Sequence, residues 1–285
     1  MPDLIPDREG FVSEDGHAIH YEYFGRGDHE AICLLNGLAM HTKAWYGFLP
    51  RLLPHLDVLL YDYPGQGESS APDVPYFIPR MAGYLARIAD DLRIDRLHLM
   101  GISYGGFVGL DFARQFQHRL HTLTLSGILL SHEVLFQMYQ DISLRFYRGG
   151  PEIFELYTHY MYEKIFGESF VRAYQDKLDA MRQKFHDRYR DKLHALIRLT
   201  EAQDPFFAAL DAQLPEYGAI RTPTLIMPGA EDRAIPAWVQ QKLAGILPHA
   251  RLELVADSGH VVYLEKPDLF FGKLLAFTKA KSVEF

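Results

Sequence analysis

The sequence predicts an α/β fold, a mostly parallel sheet flanked by helices with an inserted helical unit, and three observations predict it. Gly101-Ile102-Ser103-Tyr104-Gly105 joins the apolar, strand-like run Leu97-His98-Leu99-Met100 to the buried face of a helix continuing through Ala113. Short apolar runs alternate with helix-periodic segments over most of the 285 residues. Between about Ser131 and Pro215 the alternation stops: no strand pattern occurs, and Tyr, Phe, Met, Lys and Arg recur at helical spacing.

The elements follow in order. Ala18 to Phe24 alternates as a strand, and Asp15-Gly16 before it reads as a hairpin turn from Phe11-Val12, so the sheet opens antiparallel. Ala31–Leu35, Val58–Tyr61, Leu97–Met100, Leu120–Leu125, Thr224–Met227 and Leu252–Val255 are short apolar runs suited to strands covered on both faces. Trp45–Leu53, Met81–Leu92, Tyr104–Phe116, Trp238–Leu247 and Leu269–Phe277 carry the three-to-four spacing of one-sided helices. In the strand-free stretch Gly149-Gly150-Pro151 and Gly167 act as stops between helices. The chain then returns to complete the sheet, which favours a core of residues 1–130 and 216–285 with a helical cap, 131–215, over an independent domain. Both ends of that cap leave the edge where strand carboxyl ends gather their loops, so it is expected to cover Ser103.

Composition narrows the function. A 48% hydrophobic chain of this length can bury a large core, which excludes disorder. The net charge of −8 and the lack of a basic face speak against a nucleic-acid partner. The one cysteine, Cys33, lies within an apolar strand run and reads as a core residue. Met1 to Asp7 has neither a basic start nor an apolar segment, and no stretch is long enough for a membrane span, so the cytoplasm is the default expectation.

Ser103 is the chemically informative residue. A strand forced directly into a helix strains the residue at the junction and crowds its neighbours two positions away, and glycine at 101 and 105 relieves that crowding. The serine then projects at the first turn of the helix, where free N–H groups and the helix dipole favour a developing negative charge. A serine hydroxyl is a weak nucleophile near neutral pH and needs an imidazole to take its proton and a carboxylate to orient that imidazole. His260, in Asp257-Ser258-Gly259-His260, and Asp232, in the segment after Thr224–Met227, both lie on loops at the carboxyl edge of the expected sheet.

On these residues the chain resembles the α/β-hydrolase fold family, over nearly its whole length except the cap. The family's order of serine, acid and histidine maps onto Ser103, Asp232 and His260. Tyr61-Asp62-Tyr63-Pro64-Gly65-Gln66-Gly67-Glu68-Ser69 resembles the family's loop after the fourth strand, with Asp62 and Ser69 holding the turn. The resemblance implies an oxyanion hole from the backbone N–H groups of Leu38 and Tyr104. Asn36 stands where many members carry histidine before glycine, a change in the side chain that braces this loop; an Asn-Gly here is similar to that of some acyltransferase relatives acting on hydroxyacyl thioesters.

Glu231 is the alternative acid, read as a solvated loop charge because the family pattern aligns Asp232, and Glu265 reads as a surface residue. The pairs His17/His20 and His118/His121 lack a matching second ligand cluster and read as structural or solvated, not as metal ligands. Ser126 reads as a strand-end residue. Neither a P-loop nor a dinucleotide fingerprint is present, so no cofactor and no metal are expected. The expectation is an esterase-like serine hydrolase that takes a small-molecule acyl substrate, an ester, thioester or lactone with an apolar acyl portion, through an acyl-enzyme. Acyl transfer, carbon–carbon bond hydrolysis and a non-catalytic receptor are the alternatives. Phe136, Met138, Tyr139, Phe146, Tyr147, Phe154, Tyr157, Tyr160, Met161 and Tyr162 would supply both the cap's own core and an apolar pocket wall.

Overall fold

A computed structural model of the chain describes residues 4–14 and 16–284. Its eight strands are β1 (Arg8–Glu14), β2 (His17–Phe24), β3 (Ala31–Leu35), β4 (Asp57–Tyr61), β5 (Leu97–Ile102), β6 (Leu120–Ser126), β7 (Thr224–Ile226) and β8 (Ala250–Leu252). They form one sheet in the order β1-β2-β4-β3-β5-β6-β7-β8. β1 and β2 pair antiparallel, as do β2 and β4, and every later pair is parallel. The expected hairpin is present, with Glu14 opposite His17; Asp15 of its predicted turn lies outside the described residues.

The helices are α1 (Leu49–Leu52), α2 (Ile78–Asp91), α3 (Tyr104–Phe116), α4 (Val134–Arg148), α5 (Pro151–Ile165), α6 (Glu168–Tyr189), α7 (Leu193–Glu201), α8 (Gln203–Gly218), α9 (Ala237–Ile246), α10 (Val262–Glu265) and α11 (Pro267–Ala280). The continuous helix expected over Trp45–Leu53 is instead a 3₁₀ turn, Thr42–Trp45, followed by the single turn α1. Three side chains fix this break by pointing inward: Trp45, Leu49 and Leu52 are all fully buried against the sheet. The last strand runs over Ala250–Leu252 and not over the expected Leu252–Val255; Val255 meets the sheet through a bridge to Gly229.

Strand alternation distributes the apolar side chains between two cores. From β3, Ala31, Cys33 and Leu35 enter the core beneath α2, α3, α8 and α9, while Ile32 and Leu34 enter the core beneath α1 and α11. Cys33 is completely buried there, and burial raises its thiol pKa, so it is a packing residue. Between β6 and β7 the chain is helical throughout, α4 to α8. Leu144, Tyr147, Phe154, Tyr157, Tyr189 and Leu196 form a separate core that rests on Ala39. α7 and α8 also reach the sheet: Leu199, Phe206, Leu210 and Tyr217 join its core. Among the described residues no helix is long and apolar enough to cross a membrane.

Candidate active site

Because β3, β4, β5, β6, β7 and β8 run parallel, their carboxyl ends deliver six loops to one rim. Ser103 follows β5 directly and caps the amino end of α3, with φ 48° and ψ −120°, a strained conformation for a residue with a Cβ. Glycine is required beside it. A Cβ at Gly105 would lie 2.5 Å from the carbonyl oxygen of Leu35, and one at Gly101 would lie 2.5 Å from that of Gly105. The turn is anchored from the neighbouring strand, since Ser103 N–H donates to the Ser126 carbonyl at 2.9 Å and Ser126 Oγ donates to the Met227 carbonyl at 2.7 Å.

Asp232 and His260 meet on the next two loops. His260 Nδ1 lies 2.8 Å from Asp232 Oδ2, and both residues are buried. The other carboxylate oxygen accepts the N–H groups of Ala234 at 2.9 Å and Ile235 at 2.8 Å, which fixes the plane of the carboxylate. Burial by itself would lower the imidazole pKa; the charge and hydrogen bond of Asp232, with the charge of Glu265, outweigh it and raise the pKa above 6.5. His260 and Ser103 line the same cavity, about 410 Å³ in volume. Among the described residues no hydrogen bond joins Ser103 Oγ to the imidazole; in unliganded sites such bonds are commonly long and tighten when substrate arrives.

Leu38 and Tyr104, the two expected backbone donors, also border this cavity. Their loop is well braced despite the unusual asparagine. Asn36 Nδ2 donates to the Tyr61 carbonyl and to Asp62, at 3.1 and 3.2 Å, and Asn36 Oδ1 accepts from the Trp45 indole at 2.8 Å. Gln66 Nε2 adds a bond to the Gly37 carbonyl at 3.0 Å. Asp62 and Ser69 hold the turn after β4, with Ser69 Oγ on the Asp62 carbonyl and Asp62 Oδ2 accepting from Glu68 N–H.

Several contributors escaped the sequence reading. Gly127, just after β6, has φ +65°, and a Cβ there would lie 2.6 Å from the Cε1 atom of His260, so the imidazole packs flush against its backbone. Gln240 on α9 is fully buried: its Oε1 accepts from Gly127 N–H at 2.9 Å, and its Nε2 donates to the Ile235 carbonyl and, at 3.3 Å, to Asp232. One amide thereby links the backing of the imidazole to the carboxylate. The glycine after a strand was visible in the sequence; the partnership with a glutamine 113 positions away was not.

Two acidic residues require correction. Glu265 is a half-buried bridge, accepting from Gly259 N–H and Gly167 N–H at 3.0 Å each, and thus not a surface residue. Glu231 is not a free solvated charge, since it accepts from Glu168 N–H at the start of α6 at 2.7 Å. With His260 N–H donating to the Ile165 carbonyl at 2.7 Å, these bonds fasten the corner between α5 and α6 to the histidine loop. Burial raises the Glu265 pKa, and the backbone donors only partly oppose it.

As regards metals, Glu9, His20 and Glu22 bring one potential ligand atom each within 4.8 Å of one another. His20 is already engaged by Asp62 at 3.3 Å and Glu9 at 3.0 Å. None of the three lines the cavity that Ser103 borders.

The chain resembles known proteins over nearly its full length. The family model described as alpha/beta hydrolase fold matches residues 30–267. The chain is 30% identical over 267 residues to the 2-hydroxy-6-oxo-6-phenylhexa-2,4-dienoate hydrolase of Comamonas testosteroni, covering 88% of each. The crystal structure of an alpha/beta hydrolase enzyme from a Medee basin deep-sea metagenome library superposes with a TM-score of 0.88 at 24% identity, over 97% of this chain and 99% of that one. The enol-lactonase from Burkholderia xenovorans LB400 gives 0.76 at 25% identity, over 94% and 99%.

Proposed function

This chain belongs to the α/β-hydrolase fold family and is an enzyme of the hydrolase class, and within that class we propose that it cleaves a carboxylic ester, thioester or lactone with an apolar acyl portion through an acyl-enzyme at Ser103. The observation that carries the reading is the buried Asp232–His260 pair, 2.8 Å apart, whose imidazole borders the cavity that the strained Ser103 turn also borders. Ser103 Oγ attacks the carbonyl carbon as His260 takes the hydroxyl proton. Asp232 keeps the imidazole in the tautomer with Nδ1–H and stabilises the imidazolium. The N–H groups of Leu38 and Tyr104 hold the oxyanion. His260 then returns the proton to the leaving alcohol, thiol or enol, and water repeats the sequence to release the acid. The helices between residues 131 and 215 act as the cap over this cavity.

The apolar acyl portion is supported by the wall, which includes Phe48, Phe107, Phe136, Met161, Phe166 and Met181. Carbon–carbon bond hydrolysis is the second reading, favoured by the similarity to the dienoate hydrolase, since the same three residues serve it. Esters, thioesters, lactones and a vinylogous diketone assayed against the wild type and Ser103→Ala test both readings. Turnover of an acyl substrate that falls at least about 10³-fold in the variant supports the first. Equal rates in the two proteins, or turnover of the diketone alone, defeat it.

A further inference from the structure

The cavity has an unusual charge balance. The chain carries 37 acidic and 29 basic residues, yet no aspartate or glutamate borders the cavity, whereas Lys184 and Arg188 do. Both belong to α6, one turn apart, on the face that also presents Met181 and Phe185 to the cavity. Both are exposed, which places their charges at the solvent side of a pocket whose deeper wall is aromatic.

Comparison with the other cations of α6 makes this selective. Arg172 pairs with Glu168, Arg182 with Asp179, and Lys177 lies over the ring of Tyr174. Among the described residues, Lys184 and Arg188 have neither an ion pair nor a ring partner. Asp187, which adjoins Arg188 in sequence, pairs with His186 and Arg190. His41 stands near Arg188; burial lowers its pKa, the positive charge of Arg188 lowers it further, and the charges of Asp62 and Glu68 oppose the shift. Gln140, also on the wall, has a buried Nε2 donor without a partner.

We propose that Lys184 and Arg188 form an anion subsite, and that the substrate carries a carboxylate at the end remote from the bond that is cleaved. This rests on the hydrolytic reading above for the position of that bond. The aromatic wall takes the intervening hydrocarbon, and the two cations at the mouth take the charge. Unpaired cations facing a cavity with no acidic wall also steer an anionic substrate toward it, an effect that salt screens.

The test compares mono-4-nitrophenyl adipate with 4-nitrophenyl hexanoate, which share a six-carbon acyl chain and differ by the terminal carboxylate. Equilibrium binding is measured on Ser103→Ala, and kcat/KM on protein with Ser103 intact. The expected result is a preference for the adipate ester of about tenfold in binding and in kcat/KM at low salt. That preference should be lost in Lys184→Met/Arg188→Met, retained in Lys184→Arg/Arg188→Lys, and reduced by added salt. Hydrolysis of both esters with no preference for adipate, or a preference unchanged in the double methionine variant, overturns the subsite and leaves the hydrolytic reading standing. Cation-dependent binding of the adipate ester without turnover supports the subsite and defeats the hydrolytic reading instead.

Discussion

The sheet and the helical insert border the same cavity from opposite sides and are built differently. On the sheet side, every residue of β3, β4 and β5 is buried, and the loops that leave them are pinned by side-chain bonds such as Asn36 to Asp62 and Gln66 to Gly37. On the insert side, the wall presents aromatic rings, Phe136, Tyr139, Tyr147, Tyr157 and Tyr162, which pack on one another, as Tyr147 does against Tyr157 with centroids 4.9 Å apart. Hydrogen bonds of fixed length position a reacting atom to a fraction of an ångström, whereas ring packing tolerates sliding. On the proposed mechanism, reactivity belongs to the sheet loops and selectivity to the insert, and this division can be broken from either side.

Outside Ser103, Asp232 and His260, the largest effect is expected at Gly127. Replacement by alanine puts a Cβ against the His260 ring and demands a left-handed conformation at a residue with a side chain. We expect kcat on a 4-nitrophenyl ester to fall about 10²-fold with little change in KM, as a displaced base should produce. Steady-state kinetics alongside a circular dichroism spectrum check this, and a near-normal kcat would remove the imidazole's backing from the account.

The next effect concerns pH. His260 must be neutral to accept a proton, so activity should rise as pH climbs through its pKa, and the acid limb of kcat/KM should have its midpoint above 6.5. The negative charge of Glu265 contributes to that raised pKa; removing it in Glu265→Gln favours the neutral imidazole and should move the limb to lower pH. An unmoved or upward-moved limb contradicts the assignment.

The smallest effect belongs to the insert. Tyr139→Phe removes one hydroxyl from the cavity wall without disturbing ring packing, such as that against Tyr160. A change of about two- to fivefold in KM, with kcat nearly constant, is expected for a binding contact. A loss of kcat exceeding that of Gly127→Ala would reverse the proposed division of labour.

The same contrast explains what could be read from sequence. Strands buried on both faces must be continuously apolar, so Ala31–Leu35 was legible to the residue, and Gly-x-Ser-x-Gly marked Ser103 because only glycine fits beside that turn. Gly149-Gly150-Pro151 and Gly167 likewise marked the breaks between α4, α5 and α6. In the insert an aromatic at helical spacing serves either its own core or the cavity, and periodicity cannot separate the two: Phe154 is wholly internal, whereas Tyr157 belongs to that core and also borders the cavity. Gln240 and Glu265 were missed because their roles depend on backbone groups brought near only by folding, and no local pattern records such contacts.

The most direct test of Ser103, His260 and Asp232 acting as one unit is covalent capture with a 4-nitrophenyl alkylphosphonate, followed by intact-protein and peptide mass spectrometry. The account predicts one equivalent of 4-nitrophenol released, one phosphonyl group on the peptide containing Ser103, and labelling slowed at least about 10³-fold in His260→Ala. A label on any other residue, or equally fast labelling without the imidazole, would contradict it.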